Sequence, residues 1–267
     1  MNSGIKTFGA VGRSAGEFFA QVARVADLAR QTLYWSTVGA FRYERIRWNE
    51  TFTQMVRIGV NSLPIVGMIS FFVGLIIAMQ SAYQLERFGA VVYVADLVGV
   101  SITRELGPLI TAIIITGRSG SAIAAELGTM KVSEEIDALQ TMAINPVSFL
   151  VVPRTLAMLI MLPCLTIMAD FLGLLGGFVL GVVQLQIPYS AYFSHTADAI
   201  LFKDFFTGLS KSVLFAFIIA LIGAYQGLHV RGGAEGVGKS TTDSVVTSIF
   251  LVILSDVLFT ALFFSTF

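Results

Sequence analysis

Charged residues are scarce in this sequence. Lysine and arginine total 17, aspartate and glutamate total 17, and together they make up 13% of the 267 residues. A soluble domain carries about 25% charged residues. Hydrophobic residues reach 55%, and the mean hydropathy is +0.81. The composition therefore predicts a polytopic membrane protein. The formal net charge of zero gives no information about nucleic acid, and no long basic run argues for binding it, so we expect no nucleic-acid partner.

Residues that form disulfides or bind metals are equally rare. Cys164 is the single cysteine, which excludes an intrachain disulfide. His195 and His229 have no cysteine or carboxylate cluster at ligand spacing, so we expect no metal and no cofactor. An HExxH motif and a Ser-His pattern are both missing, which disfavours an intramembrane enzyme.

Five apolar stretches are long enough to cross a bilayer, whose ~30 Å core needs about 20 helical residues. They run from Met55 to Tyr83, Leu106 to Ala125, Thr155 to Val183, Phe205 to Leu228 and Ser244 to Phe267. An alternative start of the second stretch lies near Tyr93, with a kink at Gly107 and Pro108. The sequence thus predicts an all-α polytopic membrane protein, with an N-terminal region over residues 1–54 and a transmembrane domain over residues 55–267.

Basic residues outside these stretches are distributed unequally. Twelve lie before Ile58, between Glu126 and Arg154, or between Leu228 and Thr241, whereas Arg87, Arg104 and Lys203 lie on the other side. The positive-inside rule therefore predicts a cytoplasmic N-terminus and a C-terminus across the membrane.

The first 50 residues contain no signal-peptide pattern. An apolar stripe at helical spacing instead predicts an amphipathic helix in the cytoplasmic headgroup layer; it comprises Phe18, Val22, Val25, Ala29 and Leu33. Interface anchors are expected to follow at Tyr34, Trp35, Tyr43 and Trp48, interleaved with Arg42, Arg45 and Arg47. The alternative is a soluble helix packed on a partner.

A short acidic segment, Val132 to Pro146, separates the second and third stretches. Its apolar residues recur at helical spacing, at Val132, Ile136, Leu139 and Ala143. We expect Ser133 to cap this helix and Asn145 and Pro146 to end it. A short helix held at the membrane surface between two spans can receive force from a soluble subunit, although an ordinary interfacial loop helix is the simpler alternative.

The segment GAEGVGKS, Gly233 to Ser240, matches the P-loop pattern G-x-x-x-x-G-K-[ST]. That motif needs an α/β domain around it, and the space between two spans cannot contain one. We therefore expect a flexible glycine-rich cytoplasmic turn that does not bind ATP.

Inserting a charged side chain at the centre of a membrane helix costs about 2.5–3.5 kcal/mol of free energy. Charges inside the apolar stretches therefore usually have a structural or functional role. The candidates are Arg104, Glu105, Arg118, Asp170 and Asp256. They either pair with one another and hold helices together, or face a polar cavity or an opposite subunit. Small residues in the second and third stretches, among them Gly173 and Gly176, predict close helix packing. The end of the first stretch offers a mainly apolar wall suited to an amphiphile, at Met79, Gln80, Tyr83, Leu85 and Phe88.

Several separated motifs resemble the MlaE/YrbE permeases of phospholipid-transporting ABC systems in Gram-negative bacteria. They are RELGPLITAIIITGRSGSAIAAELGTMKVSEEIDALQTMAINP, then VVPR, and later GGAEGVGKSTTDSVV together with the aspartate of the fifth stretch. The resemblance covers nearly all of the chain after residue 50.

The resemblance implies a homodimeric permease of the bacterial inner membrane that moves phospholipids between inner and outer membranes and maintains outer-membrane asymmetry. A separate cytoplasmic ABC ATPase would use the ATP, and a periplasmic MCE-domain protein and a small STAS-domain protein are the other implied partners. The implied coupling helix contains Glu134, Glu135, Ile136, Asp137, Ala138 and Leu139. Lipid would contact Gln80, Tyr83, Phe88, Arg104 and Glu105, with Met79 and Leu85 beside them. The competing reading is an ion-coupled secondary carrier or a channel.

Overall fold

A computed structural model of the chain describes residues 19–39 and 47–266, and over these ranges the regular structure is entirely helical. The α-helices are α1 (19–34), α2 (Trp48–Ile58), α3 (Leu63–Leu85), α4 (Val94–Ser101), α5 (Gly107–Ile115), α6 (Ser121–Val132), α7 (Glu135–Thr141), α8 (Val152–Val183), α9 (Tyr189–Ala199), α10 (Phe202–Leu228) and α11 (Gly233–Thr266). Helices satisfy their own backbone hydrogen bonds, as lipid requires.

Five helical units of the described chain are long and apolar enough to span a membrane, which confirms the predicted number and the all-α polytopic class. The first to fifth spans are Trp48–Phe88, Val91–Val132, Val147–Val183, Phe202–Leu228 and Gly233–Phe263. One end of the bundle carries α1, α7 and the turn at residues 229–232, and we call it the α7 end. The opposite end, the α9 end, carries α9 and residues 86–93.

The second span begins at Val91, in agreement with the earlier of the two predicted starts. It contains two π-helical turns, Ile102–Leu106 and Thr116–Gly120. Pro108 has no N–H to donate, so a widened turn just before it accommodates the missing α-helical hydrogen bond. The irregularity predicted at Gly107 and Pro108 is therefore a π turn that ends at Leu106.

The first and third spans form the most extensive helix pair. A Cβ atom on Gly74 would overlap the carbonyl oxygen of Gly173, and one on Gly176 would overlap that of Phe71. The two backbones can approach this closely because these positions lack side chains, as the small-residue pattern predicts for Gly173 and Gly176.

Helix α1 packs on the bundle through only the middle of the predicted stripe, together with neighbouring residues outside it. Leu28 and Thr32 are buried, whereas Val22 and Leu33 of the predicted stripe are about half exposed. Buried positions four residues apart, with Val25 and Ala29 packed beside them, follow one face of a 3.6-residue helix, from which the predicted stripe drifts away. Phe18, Arg42, Tyr43 and Arg45 lie outside the described residues.

The expected glycine-rich turn over GAEGVGKS is wrong, because Gly233 begins α11 and the whole segment is helical. The turn is confined to residues 229–232, where Gly232 has φ 90°. Contacts with the neighbouring spans stabilise this first part of α11: the Ser240 hydroxyl donates to the Gln226 carbonyl, and Val237 packs beside Gly128.

Helix α9 has no counterpart among the sequence predictions. It begins after Pro188 and lies against α4, where His195 Nδ1 is 3.1 Å from Asp96 Oδ1. Its buried Tyr192 sits over Gly177 and Gly181, and burial raises the pKa of Tyr192 to about 12. With 11 residues, α9 is about 16 Å long, which is too short to span a membrane.

Candidate functional site

A buried ionic cluster joins three spans toward the α9 end of the bundle. Lys211 of the fourth span is fully buried, and its Nζ donates to the Glu105 carboxylate of the second span. The same nitrogen lies 2.9 Å from Asp256 Oδ1 and 2.7 Å from Thr260 Oγ1, both in the fifth span. Thr260 in turn donates to Glu105 Oε1 at 3.1 Å. The hydroxyl thus relays between the ammonium and the carboxylate.

Glu105 and Asp256 do pair within the described chain and connect helices, but with Lys211 rather than with each other or with another of the candidate charges. Lys211 was missed by the sequence interpretation, although a lysine inside an apolar stretch was the available signal. A buried ammonium is tolerated only when it is paired and hydrogen-bonded, and here two carboxylates and a hydroxyl surround it. The second, fourth and fifth spans are therefore fixed to one another by charge.

Arg104 and Glu105 serve different partners, as the ~100° rotation between adjacent helical residues predicts. Arg104 Nη1 lies 3.6 Å from Asp204 Oδ1, and one third of its side chain is exposed. Asp204 also accepts a hydrogen bond from the Leu201 backbone N–H at the start of α10. Arg104 is thus partly exposed beside Asp204, whereas Glu105 is paired with Lys211.

The other residues of the predicted lipid contact lie at the end of α3. Met79, Tyr83 and Phe88 are 50%, 64% and 82% exposed, and Gln80 is exposed as well. Leu85 is half-buried and packs against the core of α4 instead. Arg87 donates to the Tyr83 hydroxyl at 2.8 Å and places its guanidinium near that ring. This outer face is apolar with cationic groups at its margin.

Asp170 has no ionic partner among the described residues. Its buried side chain lies against the backbone of α5, where a Cβ atom on Gly107 would overlap the carboxylate. Its Oδ1 also has no hydrogen-bond partner in the described chain. Packing between the second and third spans is the role that this geometry supports for Asp170.

Helix α7 occupies the centre of the acidic segment, but it is shorter than predicted. It extends only over Glu135–Thr141, because Val132 completes α6 and Glu134 adopts a left-handed conformation with φ 61° between the two helices. Ser133 is not its cap: the Ser133 hydroxyl donates to the Thr129 carbonyl. The helix ends at Thr141, before Asn145 and Pro146, and Ala143 beyond it has φ 60°.

The two ends of the predicted apolar face are also wrong, since Val132 and Ala143 are exposed. Ile136 is buried, and Leu139 packs partly against the same core. Asp137 Oδ1 pairs with Lys131 Nζ at 2.7 Å. Glu134, Glu135 and Ala138 are exposed, so α7 is anchored by its apolar side and presents an acidic surface.

Two cavities flank the α7 end. One of about 470 Å³ lies beside α7 and is lined by Ile136, Gln140 and Leu228 among others. The second, of about 260 Å³, lies between the first and second spans and contains Arg57, Arg118 and Glu126. Within residues 19–39 and 47–266, no group of three His, Cys, Asp or Glu side chains is arranged to hold a metal ion.

Comparison with known proteins identifies the family. The family model described as Permease MlaE matches residues 51–262. The chain is 42% identical over 211 residues to a probable ABC transporter permease protein of Rickettsia typhi, covering 79% of this chain and 82% of that protein. A homologous permease of Rickettsia felis is 40% identical over 253 residues, covering 94% and 93%.

A more distant relative comes from a plant. The chloroplastic protein TRIGALACTOSYLDIACYLGLYCEROL 1 of Arabidopsis thaliana is 34% identical over 220 residues, which cover 82% of this chain and 63% of that protein. The family match covers nearly all of the five spans and includes the ionic cluster and α7. This chain therefore belongs to the MlaE permease family and is the multi-pass permease of an ABC transporter, a class that works with an ATPase partner.

Proposed function

We propose that this permease moves phospholipids between the inner and outer membranes of a bacterium and so maintains the asymmetry of the outer membrane. The observation that carries the proposal is the outer face at the α9 end, where exposed Met79, Tyr83 and Phe88 precede Arg104 along the chain. Acyl chains require such an apolar wall, and a phosphate group requires a nearby cation. The name of the Arabidopsis relative contains a glycerolipid, which supports a lipid substrate.

The α7 end faces the cytoplasm in this proposal. The excess of lysine and arginine in the segments at that end supports the orientation, because positive residues favour the cytoplasmic side. The bacterial inner membrane is then the site of action, with a cytoplasmic N-terminus and the outer face opening toward the periplasm.

The ATPase docks on α7 in this arrangement. Exposed Glu134 and Glu135 supply charge for recognition, while buried Ile136 and the Lys131–Asp137 ion pair connect the helix to the spans. A force applied to α7 would therefore reach the second span through α6. Two copies of this chain would enclose the lipid, with an MCE-domain protein on the periplasmic side and a small STAS-domain protein as a further partner.

Site-specific photocrosslinking tests the lipid assignment in the assembled transporter. Crosslinkers at Tyr83 and Phe88 should capture phospholipid, and ATP turnover should change the yield because the face then opens or closes. A crosslinker at Ile167, which is 43% exposed in the third span, reports contact with bulk bilayer. Equal yields at all three positions, unaffected by ATP, would contradict the proposed face.

A further inference from the structure

The 260 Å³ cavity at the α7 end has an unusual electrostatic composition for a site inside a membrane. It lies between the first and second spans, and its Arg118 is 13 residues beyond Glu105 of the ionic cluster on the second span. Its lining is Gln54, Arg57, Ile58, Asn61, Arg118, Ser119, Ala122, Ile123 and Glu126. Two arginines, two amides and one carboxylate thus share a cavity with apolar side chains.

Each oxygen of the single carboxylate, Glu126, accepts a hydrogen bond from an arginine. Glu126 Oε1 accepts from Arg57 at 2.8 Å, and Glu126 Oε2 accepts from Arg154 at 3.1 Å. Arg154 is buried and also donates to the Leu150 carbonyl, so its position is fixed. With Arg118 also lining the cavity, the region holds three guanidinium groups for one carboxylate and retains an excess of positive charge.

Arg118 carries that excess. In the described chain its one hydrogen-bond acceptor is the neutral Ser62 hydroxyl, although a guanidinium has five N–H donors. Arg118 precedes Glu126 by eight residues, which places it about 12 Å deeper along the helix. An exposed arginine at that depth is costly unless a counter-charge, backbone carbonyls or water compensate it, and an anion supplies the most direct compensation.

We propose that this cavity binds the phosphate group of a phospholipid from the membrane leaflet at the α7 end. Arg118 and Arg57 would hold the phosphate, because the planar guanidinium fork matches phosphate oxygens. Asn61 and Gln54 offer amide donors to the rest of the headgroup. Ile58, Ala122 and Ile123 lie on the same wall and suit the glycerol and the first acyl carbons, which favours a lipid over a soluble anion.

This site lies at the opposite end of the bundle from the outer face, so it is separate from the proposed transport contact. It gives the permease a phosphate-selective contact with each leaflet. Binding here requires neither the ATPase nor a particular direction of transport. The two assignments can therefore fail independently.

The test uses purified permease in nanodiscs of a phosphate-free glycolipid, with a trace of labelled phosphatidylglycerol or of labelled diacylglycerol with the same chains. A photocrosslinker at Asn61 should label with phosphatidylglycerol far more than with diacylglycerol. Arg118→Gln should lower the phosphatidylglycerol yield at Asn61 roughly tenfold, since a charge-assisted hydrogen-bonded contact is lost. Lys239→Gln, which removes an exposed charge at the same end, should leave it unchanged.

A second variant and a second probe keep the outcome decisive. Ala122→Phe should also abolish the labelling, because it fills the cavity without removing a charge. If Arg118→Gln does not fold, this second variant tests the proposed lipid site. A crosslinker at Tyr83 should be insensitive to both variants. Unchanged labelling at Asn61 in a folded variant would overturn the proposal, and displacement of the lipid by millimolar inorganic phosphate would identify a soluble-anion site instead.

Discussion

Lys211 Nζ lies 2.9 Å from Asp256 Oδ1, and this contact ties the fourth span to the fifth. The same ammonium also binds Glu105, which brings in the second span. A lysine with no exposed surface depends on these partners for its charge to be tolerated. The cluster therefore connects three spans near the proposed lipid face. Its disruption should impair folding before it impairs transport.

Lys211→Met should destabilise the permease strongly. The substitution keeps an unbranched side chain but leaves Glu105 and Asp256 as unpaired carboxylates, which costs about 3–5 kcal/mol. Thermal unfolding of the purified protein in detergent should show a markedly lower midpoint. Adding Glu105→Gln and Asp256→Asn should restore much of the loss, and Lys239→Met at an exposed position is the matched control. A Lys211→Met midpoint equal to that of the control would contradict the buried cluster.

Gly74→Ala should weaken the contact between the first and third spans. The added methyl would overlap the Gly173 carbonyl oxygen, and backbone cannot move aside cheaply, so we expect a loss of about 1–3 kcal/mol. Gly117→Ala is the control, because no atom lies within 4 Å of the Cβ position there. If the two alanine variants unfold at the same temperature, the close backbone contact is incorrect.

Hydropathy and intramembrane charge were sufficient to predict the five spans and to identify Glu105 and Asp256 as charges inside them. Both signals are local: an apolar run must be helical in lipid, and a buried carboxylate must find a partner. Hydropathy did not identify Lys211, because one lysine barely changes the mean hydropathy of a 27-residue helix. Its role depends on which spans are neighbours, and that is a property of the tertiary packing.

The errors at α7 and α11 both concern where a helix begins. Periodicity assigned Val132 to the acidic helix, but the left-handed Glu134 divides the segment into two helices. Glycines in GAEGVGKS predicted a turn, yet contacts of Val237 and Ser240 with other spans stabilise a helix there. In α11, tertiary contacts outweighed local propensity.

Charge reversal on α7 should uncouple the permease from its ATPase. Replacing Glu134, Glu135 and Asp137 together by Lys inverts the acidic surface, so we expect the ATPase to be lost on co-purification while the permease remains folded. Asp137→Asn alone breaks the ion pair with Lys131 without reversing the surface, and it serves as the control for a local structural effect. Normal ATPase retention and turnover with the triple variant would show that docking lies elsewhere.

The P-loop lookalike should not bind nucleotide. A P-loop holds phosphates with free backbone N–H groups of a loop that precedes a helix. Here GAEGVGKS is itself the start of α11, and beyond the first four residues the backbone N–H groups of a helix are used by its own hydrogen bonds. Exposed Lys239 therefore projects from a helical surface without a phosphate cradle.

Equilibrium dialysis of the isolated permease with ATP should detect no saturable binding, and Lys239→Ala should support normal transport in the assembled complex. Saturable ATP binding that Lys239→Ala abolishes would require the segment to leave its helical conformation.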